Sequence, residues 1–164
     1  MNSEWAASLF RRAPYVTVSF VTPEGEPYAV PLSLASADGQ IWYFHCAPVG
    51  KKLDCIRYNP KVFLSAVTRC EPTVGPKDSA FTLQFESATA TGMAEIVDDV
   101  EEQTNALHLI CERFLPQHLH CFDESVKRSL HRTAVVRITL SAPPVGKRKA
   151  YDKNGDEMKW QRME

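Results

Sequence analysis

The most constraining feature of the chain is how little sequence separates its first three strand-like segments. Tyr15 to Val21 (YVTVSFV) is rich in β-branched and aromatic residues. It is followed by the turn Pro23-Glu-Gly-Glu-Pro27 and a second strand-like run, Tyr28 to Leu34 (YAVPLSL). Asp38-Gly39 is a hairpin signal, and Ile41 to His45 (IWYFH) makes a third strand, apolar enough to be covered on both faces. Parallel neighbours need a crossover of a dozen or more residues, and no such connection exists here. Strands that come mostly as hairpins predict a largely antiparallel sheet and disfavour a doubly wound parallel one. Pro31 cannot donate a ladder hydrogen bond, which sends the second strand to a sheet edge or a bulge.

The remaining segments extend that plan. Ser3 can cap a short helix running to Arg12, with Trp5, Leu9 and Phe10 inward, and Pro14 stops it. Gly50 to Tyr58 reads as a second helix with Leu53 and Ile56 on one face, ended by Asn59-Pro60. Lys61 to Val67 is a fourth strand, residues 68–80 read as a loop, and Phe81 to Val97 reads as one bent strand or two broken at Gly92. Asp98-x-x-Glu101 resembles a capping box opening a third helix, whose stripe is Leu107, Ile110, Cys111, Phe114 and Leu115 before Pro116. Ala134 to Leu140 is a final strand, and the polar stretch after Pro143-Pro144 reads as a loosely held tail in which Trp160 docks. The expected fold is mainly β (α+β): a six- to seven-stranded antiparallel split barrel with about three flanking helices. Its boundaries are set at 1–149 for the barrel and 150–164 for the tail.

Composition narrows the function. With 19 Lys+Arg against 20 Asp+Glu the net charge is −1, so no global attraction to nucleic acid or anionic membrane is expected, and any anion site must be local. No apolar run approaches the ~18 residues of a membrane span. The two arginines of MNSEWAASLFRRAP follow its apolar residues, the wrong order for a secretory signal. Five cysteines (Cys46, Cys55, Cys70, Cys111, Cys121), an odd number without Cys-x-x-Cys, fit free thiols in a reducing compartment. The expectation is a cytoplasmic protein.

The local anion site is sought where the third strand runs through Ala47-Pro-Val-Gly into a helix beginning Lys51-Lys52. A helix N-terminus carries unpaired N–H groups and about half a unit of positive charge. Lysine in that first turn is unfavourable for the helix itself, which makes sense where a phosphate lies between the two ammonium groups. Association costs about 4–15 kcal/mol, so such a ligand also needs a large apolar body. The plainer alternative is a solvated helix bearing two lysines. His45, at the end of the third strand, is the one candidate for proton transfer. A dianion beside it would favour its charged form, and a packed histidine is the alternative.

The run APYVTVSFVTPEGEPYAVPLSLASADGQIWYFHCAPVGKKLDCIRYNPKVFLSAV, followed in order by FESATATGMAEIVDD, the 98–115 helix and AVVRITLSAPPVGKRK, resembles one family. This is the FMN-binding split-barrel family related to pyridoxamine 5'-phosphate oxidase, in its nitroimidazole-resistance (nitroimidazole reductase) branch. The resemblance covers about residues 5 to 149. It implies a homodimer with FMN at each interface. It puts the flavin phosphate on Lys51 and Lys52, the ring along Val30, Pro31, Leu32 and Ser33, the ribityl-phosphate beside His45, Cys46 and Ala47, and a further flavin contact at Ser87. It also implies an oxidoreductase acting on a small molecule, with a reduced nicotinamide or another donor supplying electrons. There is no Rossmann glycine fingerprint for a stably bound nicotinamide.

Pyridoxamine phosphate oxidase itself carries basic residues at positions matching Ala29 and Ser33, and a basic, histidine-containing motif near its C-terminus. Arg162 after Trp160 does not replace that motif, which argues against vitamin B6 oxidation. Two other readings stay open. One is a non-enzymatic flavin or haem carrier. The other is a zinc-stabilised interaction module built on His108, Cys111, His118, His120 and Cys121, although Cys111 already belongs to an apolar stripe. The basic cluster GKRKAYDK reads as solvated tail, because Asp152, Asp156 and Glu157 follow closely.

Overall fold

Hairpins do generate the architecture. The computed structural model describes residues 3–74 and 81–151. Trp160, Arg162 and the acids Asp152, Asp156 and Glu157 lie outside these residues. The described chain runs α1 (Ser3–Arg12), β1 (Val16–Val21), β2 (Pro27–Leu32), β3 (Ile41–Cys46), α2 (Lys51–Tyr58), β4 (Lys61–Val74), β5 (Phe81–Ile96), α3 (Val100–Phe114), α4 (Phe122–Ser129), β6 (Ala134–Leu140) and β7 (Val145–Lys149). Short 3₁₀ segments flank α4 at Pro116–Cys121 and Leu130–Arg132. All seven strands join one curled, wholly antiparallel sheet in the order β2-β1-β4-β5-β6-β3, with β7 added to β5.

The path begins at β2 and ends at β3, and an isolated bridge between Ala35 and Tyr43 brings these two edges together at one end. The barrel is therefore split along the β2/β3 seam. Pro31 sits on the edge strand its missing N–H demands. The first turn joins β1 and β2 as a hairpin, whereas the Asp38-Gly39 turn, expected to pair β2 with β3, leaves them at opposite ends of the path, meeting only through the Ala35/Tyr43 bridge. Gly25 (φ 84°) closes the first, and Asp38 accepts the N–H groups of Gln40 (2.8 Å) and Ile41 (2.9 Å) in the second. Burial raises the Asp38 pKa, but these backbone bonds and Ser36 outweigh it and hold the carboxyl below its usual range.

Inward residues alternate along the strands: Val16, Val18 and Phe20; Val62, Leu64 and Ala66; Val136 and Ile138. Leu9 and Phe10 of α1 and Leu53 of α2 close the core. Trp42 is fully buried, donates Nε1–H to Gly39 O at 3.0 Å, and meets the Phe10 ring edge-on at 5.7 Å. Each such large side chain contributes about 1.5–3 kcal/mol by leaving water.

Several expectations need correction. Residues 68–74 are not loop. They prolong β4 beside residues 81–87 of β5, with a register shift between Val67 and Arg69 absorbing the extra residue. Of the two readings of Phe81 to Val97 the single strand holds: β5 passes through Gly92 unbroken, and a side chain there would meet Ile138 and the Thr139 carbonyl at under 3 Å. The cap of α3 is Asp99, whose carboxylate accepts Glu102 N–H at 2.7 Å, one residue beyond the expected Asp98. Leu115 of the expected stripe is exposed, while Ala106 and Ile110 are buried. Residues 145–151 are not a loose tail. Val145–Lys149 form β7 on β5, and Trp5 of α1 lies so close to Gly146 that any side chain there would strike its ring. Ala150 is buried, and Tyr151 N–H donates to Gln84 at 3.2 Å. Four α-helices, rather than about three, flank the sheet. β3 is covered unevenly: Trp42 and Phe44 face the core, Tyr43 packs half-buried toward α3, and His45 is exposed.

Candidate functional site

Gly50 makes the junction at the end of β3 possible. It caps α2 at φ 132°, in the region that only glycine enters cheaply. No side chain caps this helix, so the first-turn N–H groups are not answered by a capping side chain. A recess of about 60 Å³ opens at this point, lined by Tyr28, Cys46, Ala47, Val49, Gly50, Lys51, Lys52 and Leu53. Its lining joins the start of β2, the end of β3 and the start of α2. Leu53, Cys55 and Ile56 anchor the helix in the core, leaving its lysines at the mouth. The Lys51 ammonium stands over the Tyr28 ring, 4.9 Å from its centre. Burial pushes the Cys46 thiol pKa up, against the opposing pull of Lys52, so the sulfur enters the recess as a neutral thiol.

The expected site residues fall into distinct groups. Cys46, Ala47, Lys51 and Lys52 come together in the recess. His45 does not line it. Strand alternation turns it away from Cys46, onto the side of Tyr43, where it is exposed. Crowding by the surrounding chain lowers its pKa, which favours the neutral ring. Val30 and Leu32 turn inward against the core, so the side of β2 open to a ligand presents Pro31, Ser33 and backbone. Ser87 lies on the outer face of β5, between Val67 of β4 and Lys147 of β7, apart from the recess. Sequence reasoning missed Tyr28. Its signal was weak, an aromatic residue at an inward position of an edge strand.

Ser87 belongs to a broader surface. Thr17 and Ser19 of β1, Phe63, Ser65 and Val67 of β4, and Thr89 of β5 point away from the core on neighbouring strands. This face mixes small hydroxyl side chains with larger apolar ones, and it is open: Phe63 is 45%, Val67 53% and Met93 42% exposed. The zinc constellation does not assemble. His108 meets the Phe122 ring edge-on at 4.9 Å, and no three His, Cys, Asp or Glu side chains among the described residues are grouped to hold a metal ion.

The fold is shared with known proteins. A family model described as pyridoxamine 5'-phosphate oxidase matches residues 2–144. The chain belongs to the pyridoxamine 5'-phosphate oxidase family. Among solved structures of similar fold is a candidate 5-nitroimidazole antibiotic resistance protein from Bacteroides thetaiotaomicron, at TM-score 0.73 and 20% identity, covering 88% of this chain and 82% of that one. An FAD- and haem-binding protein from Mycobacterium smegmatis superposes at TM-score 0.75 and 19% identity, covering 90% and 71%. The haem storage protein of Vibrio cholerae does so at TM-score 0.62 and 14% identity, covering 88% and 94%. At these identities the likeness establishes the fold. No curated protein matches the sequence. Within this pyridoxamine 5'-phosphate oxidase-family chain, no helix of the described residues is long and apolar enough to cross a membrane.

Proposed function

We propose that the chain is a homodimeric FMN-binding flavoprotein that acts as an oxidoreductase on a small molecule, with nitro-compound reduction as the candidate activity. The observation that carries this reading is a phosphoryl-sized recess bearing Lys51, Lys52 and an uncapped helix N-terminus, in a chain whose sheet also leaves an outer face open. The recess suits a dianionic head and is too small for a tricyclic ring. A ring lying along Pro31 and Ser33 needs a second wall, and a second copy of the open face around Phe63, Val67 and Ser87 supplies one. Bound flavin would supply the electron chemistry, while the chain binds, orients and shields it. A reduced nicotinamide is the candidate donor, meeting the flavin transiently.

The test is direct. Purified protein titrated with FMN should quench flavin fluorescence at one equivalent per chain, and light scattering should report a dimer. Lys51→Ala with Lys52→Ala should weaken FMN binding about a hundredfold, since each charge-assisted bond contributes about 1.5–3 kcal/mol. A monomer indifferent to FMN would end the proposal.

One observation favours a second reading, a haem-handling protein. His45 is exposed, and its neutral ring, the form that ligates iron, is favoured. A Soret band that titrates with added haemin and disappears in His45→Ala would support haem in place of flavin.

A further inference from the structure

Tyr28 is absent from every residue the flavin reading assigns, yet it forms a wall of the recess. It stands opposite Phe20 in the β1/β2 register, and the two rings lie 6.0 Å apart. Phe20 is buried in the core, so the tyrosine ring is held from behind by a rigid neighbour. On its open side the Lys51 ammonium sits 4.9 Å from the ring centre. Lysine is a flexible point charge, and holding it in one place costs rotamer entropy. An aromatic face attracts a cation, favours one location for it, and leaves its N–H donors directed outward.

We infer that Tyr28 is a positioning residue that holds the Lys51 ammonium at the mouth of the recess and so makes the site select a phosphorylated flavin over its dephosphorylated form. The inference rests on the FMN reading and deepens it. The ring attracts the charge, and the phenol oxygen is not required. Selection follows because pre-placing the cation lowers the ordering cost only for a ligand that carries the anion. The flavin ring and ribityl chain are common to both ligands and gain nothing from it.

The experiment compares FMN with riboflavin on the full-length chain. Wild type should bind FMN more tightly than riboflavin. Tyr28→Leu should lower FMN affinity about two- to fivefold, the range of an exposed cation–π contact, with riboflavin affinity unchanged. Tyr28→Phe should keep wild-type discrimination. In a Lys51→Met background, which alters an exposed side chain and leaves the core intact, Tyr28→Leu should have no further effect on FMN. Equal losses for FMN and riboflavin in Tyr28→Leu would make Tyr28 a packing residue and overturn the inference. So would loss of discrimination in Tyr28→Phe, which would move the role to the hydroxyl. If Tyr28→Leu fails to fold, Tyr28→Met decides by the same readout: FMN affinity lowered with riboflavin affinity unchanged supports the inference, and equal or no change for the two ligands overturns it. Wild type that binds no flavin would instead remove the FMN reading itself.

Discussion

Over β3 and β6 the outer face of the sheet is roofed by α3, whereas over β1, β4 and β5 the same kind of face lies open. The roof is fastened at both ends. At the start of α3, Glu102 accepts from Arg137 at 2.8 and 3.0 Å and from the Tyr43 hydroxyl at 2.9 Å, while Arg137 also reaches Glu95 at 2.7 Å. At its end, Arg113 donates to the carbonyls of Phe10 (2.8 Å), Ala13 (2.7 Å) and Leu34, tying α3 to the end of α1 and to the β2–β3 connection. Beneath, Val135 is fully buried with Val97 and Ala106. The open face has no such fittings. It carries Thr17, Ser19, Ser65 and Thr89 among Phe63 and Val67, side chains that neither form a salt lattice nor repel a neighbour. One face is finished within the chain. The other is finished, on our reading, by a second chain.

Matched valines break this comparison most sharply, because both point outward from the sheet. Val135→Glu forces a carboxylate into the fully buried space under α3 and should unfold the chain or lower its melting temperature by well over 10 °C. Val67→Glu puts the same group on the open face, where isolated surface changes alter stability by about 0.5 kcal/mol or less. It should leave circular dichroism intact while shifting light-scattering mass from dimer to monomer and weakening FMN binding. A Val67→Glu protein that stays dimeric would move the interface elsewhere.

Alkaline titration is the next largest effect and probes the roof alone. Burial, with the Glu102 carboxylate accepting the hydroxyl proton, pushes the Tyr43 pKa up to about 12 from 10.0. The fold therefore favours the protonated phenol. Its contribution is complete below the unfolded pKa and is lost as pH rises from about 10 through about 12. Urea midpoints measured across that window should fall more steeply in wild type than in Tyr43→Phe. Parallel curves would show that the hydroxyl does not fasten α3.

The same contrast explains what the sequence could and could not say. Turn chemistry carried the β1/β2 hairpin through Glu24-Gly25, and Pro31 announced an edge; Asp38-Gly39 announced a turn but not that β3 would leave β2 and pair with β6. Leu53 and Ile56 announced the buried face of α2, and with it the exposed Lys51. β7 was hidden because VGKRK has no strand signature of its own. It is extended because β5 offers an edge and Gly146 leaves room for Trp5. Residues 68–74 were hidden for the same reason, since Pro72 and the charges of Arg69 and Glu71 read as loop until β5 lies alongside. The open face was illegible in another way. Ser and Thr alternating with apolar residues look alike whether the outer side meets water or a partner. Tyr28 escaped because strand order brings it to Lys51, not proximity in the chain.

The smallest effect concerns His45, at the end of β3 where the roofed face meets the recess. Cys46 turns into the recess, and alternation sends His45 to the roofed side, paired across the ladder with Val135. If that geometry governs binding, His45→Gln should change FMN affinity by less than about twofold, because the ring makes no charge-assisted bond to the phosphate. The pH course of binding should discriminate further. Local crowding lowers the pKa of His45, so at pH 7 its ring is neutral and exerts no pull on a dianion. A ring that did face the phosphate would gain its proton more readily beside that charge, and wild-type affinity would climb above that of His45→Gln as pH falls from 8 to 5.5. Protonation of the FMN phosphate itself affects both proteins alike, so only the difference between the two curves matters. Curves that superimpose leave the recess to Lys51, Lys52 and the backbone of α2. Curves that diverge at acid pH would bring His45 around the end of β3 into the site and dissolve the boundary between the roofed face and the recess at that point.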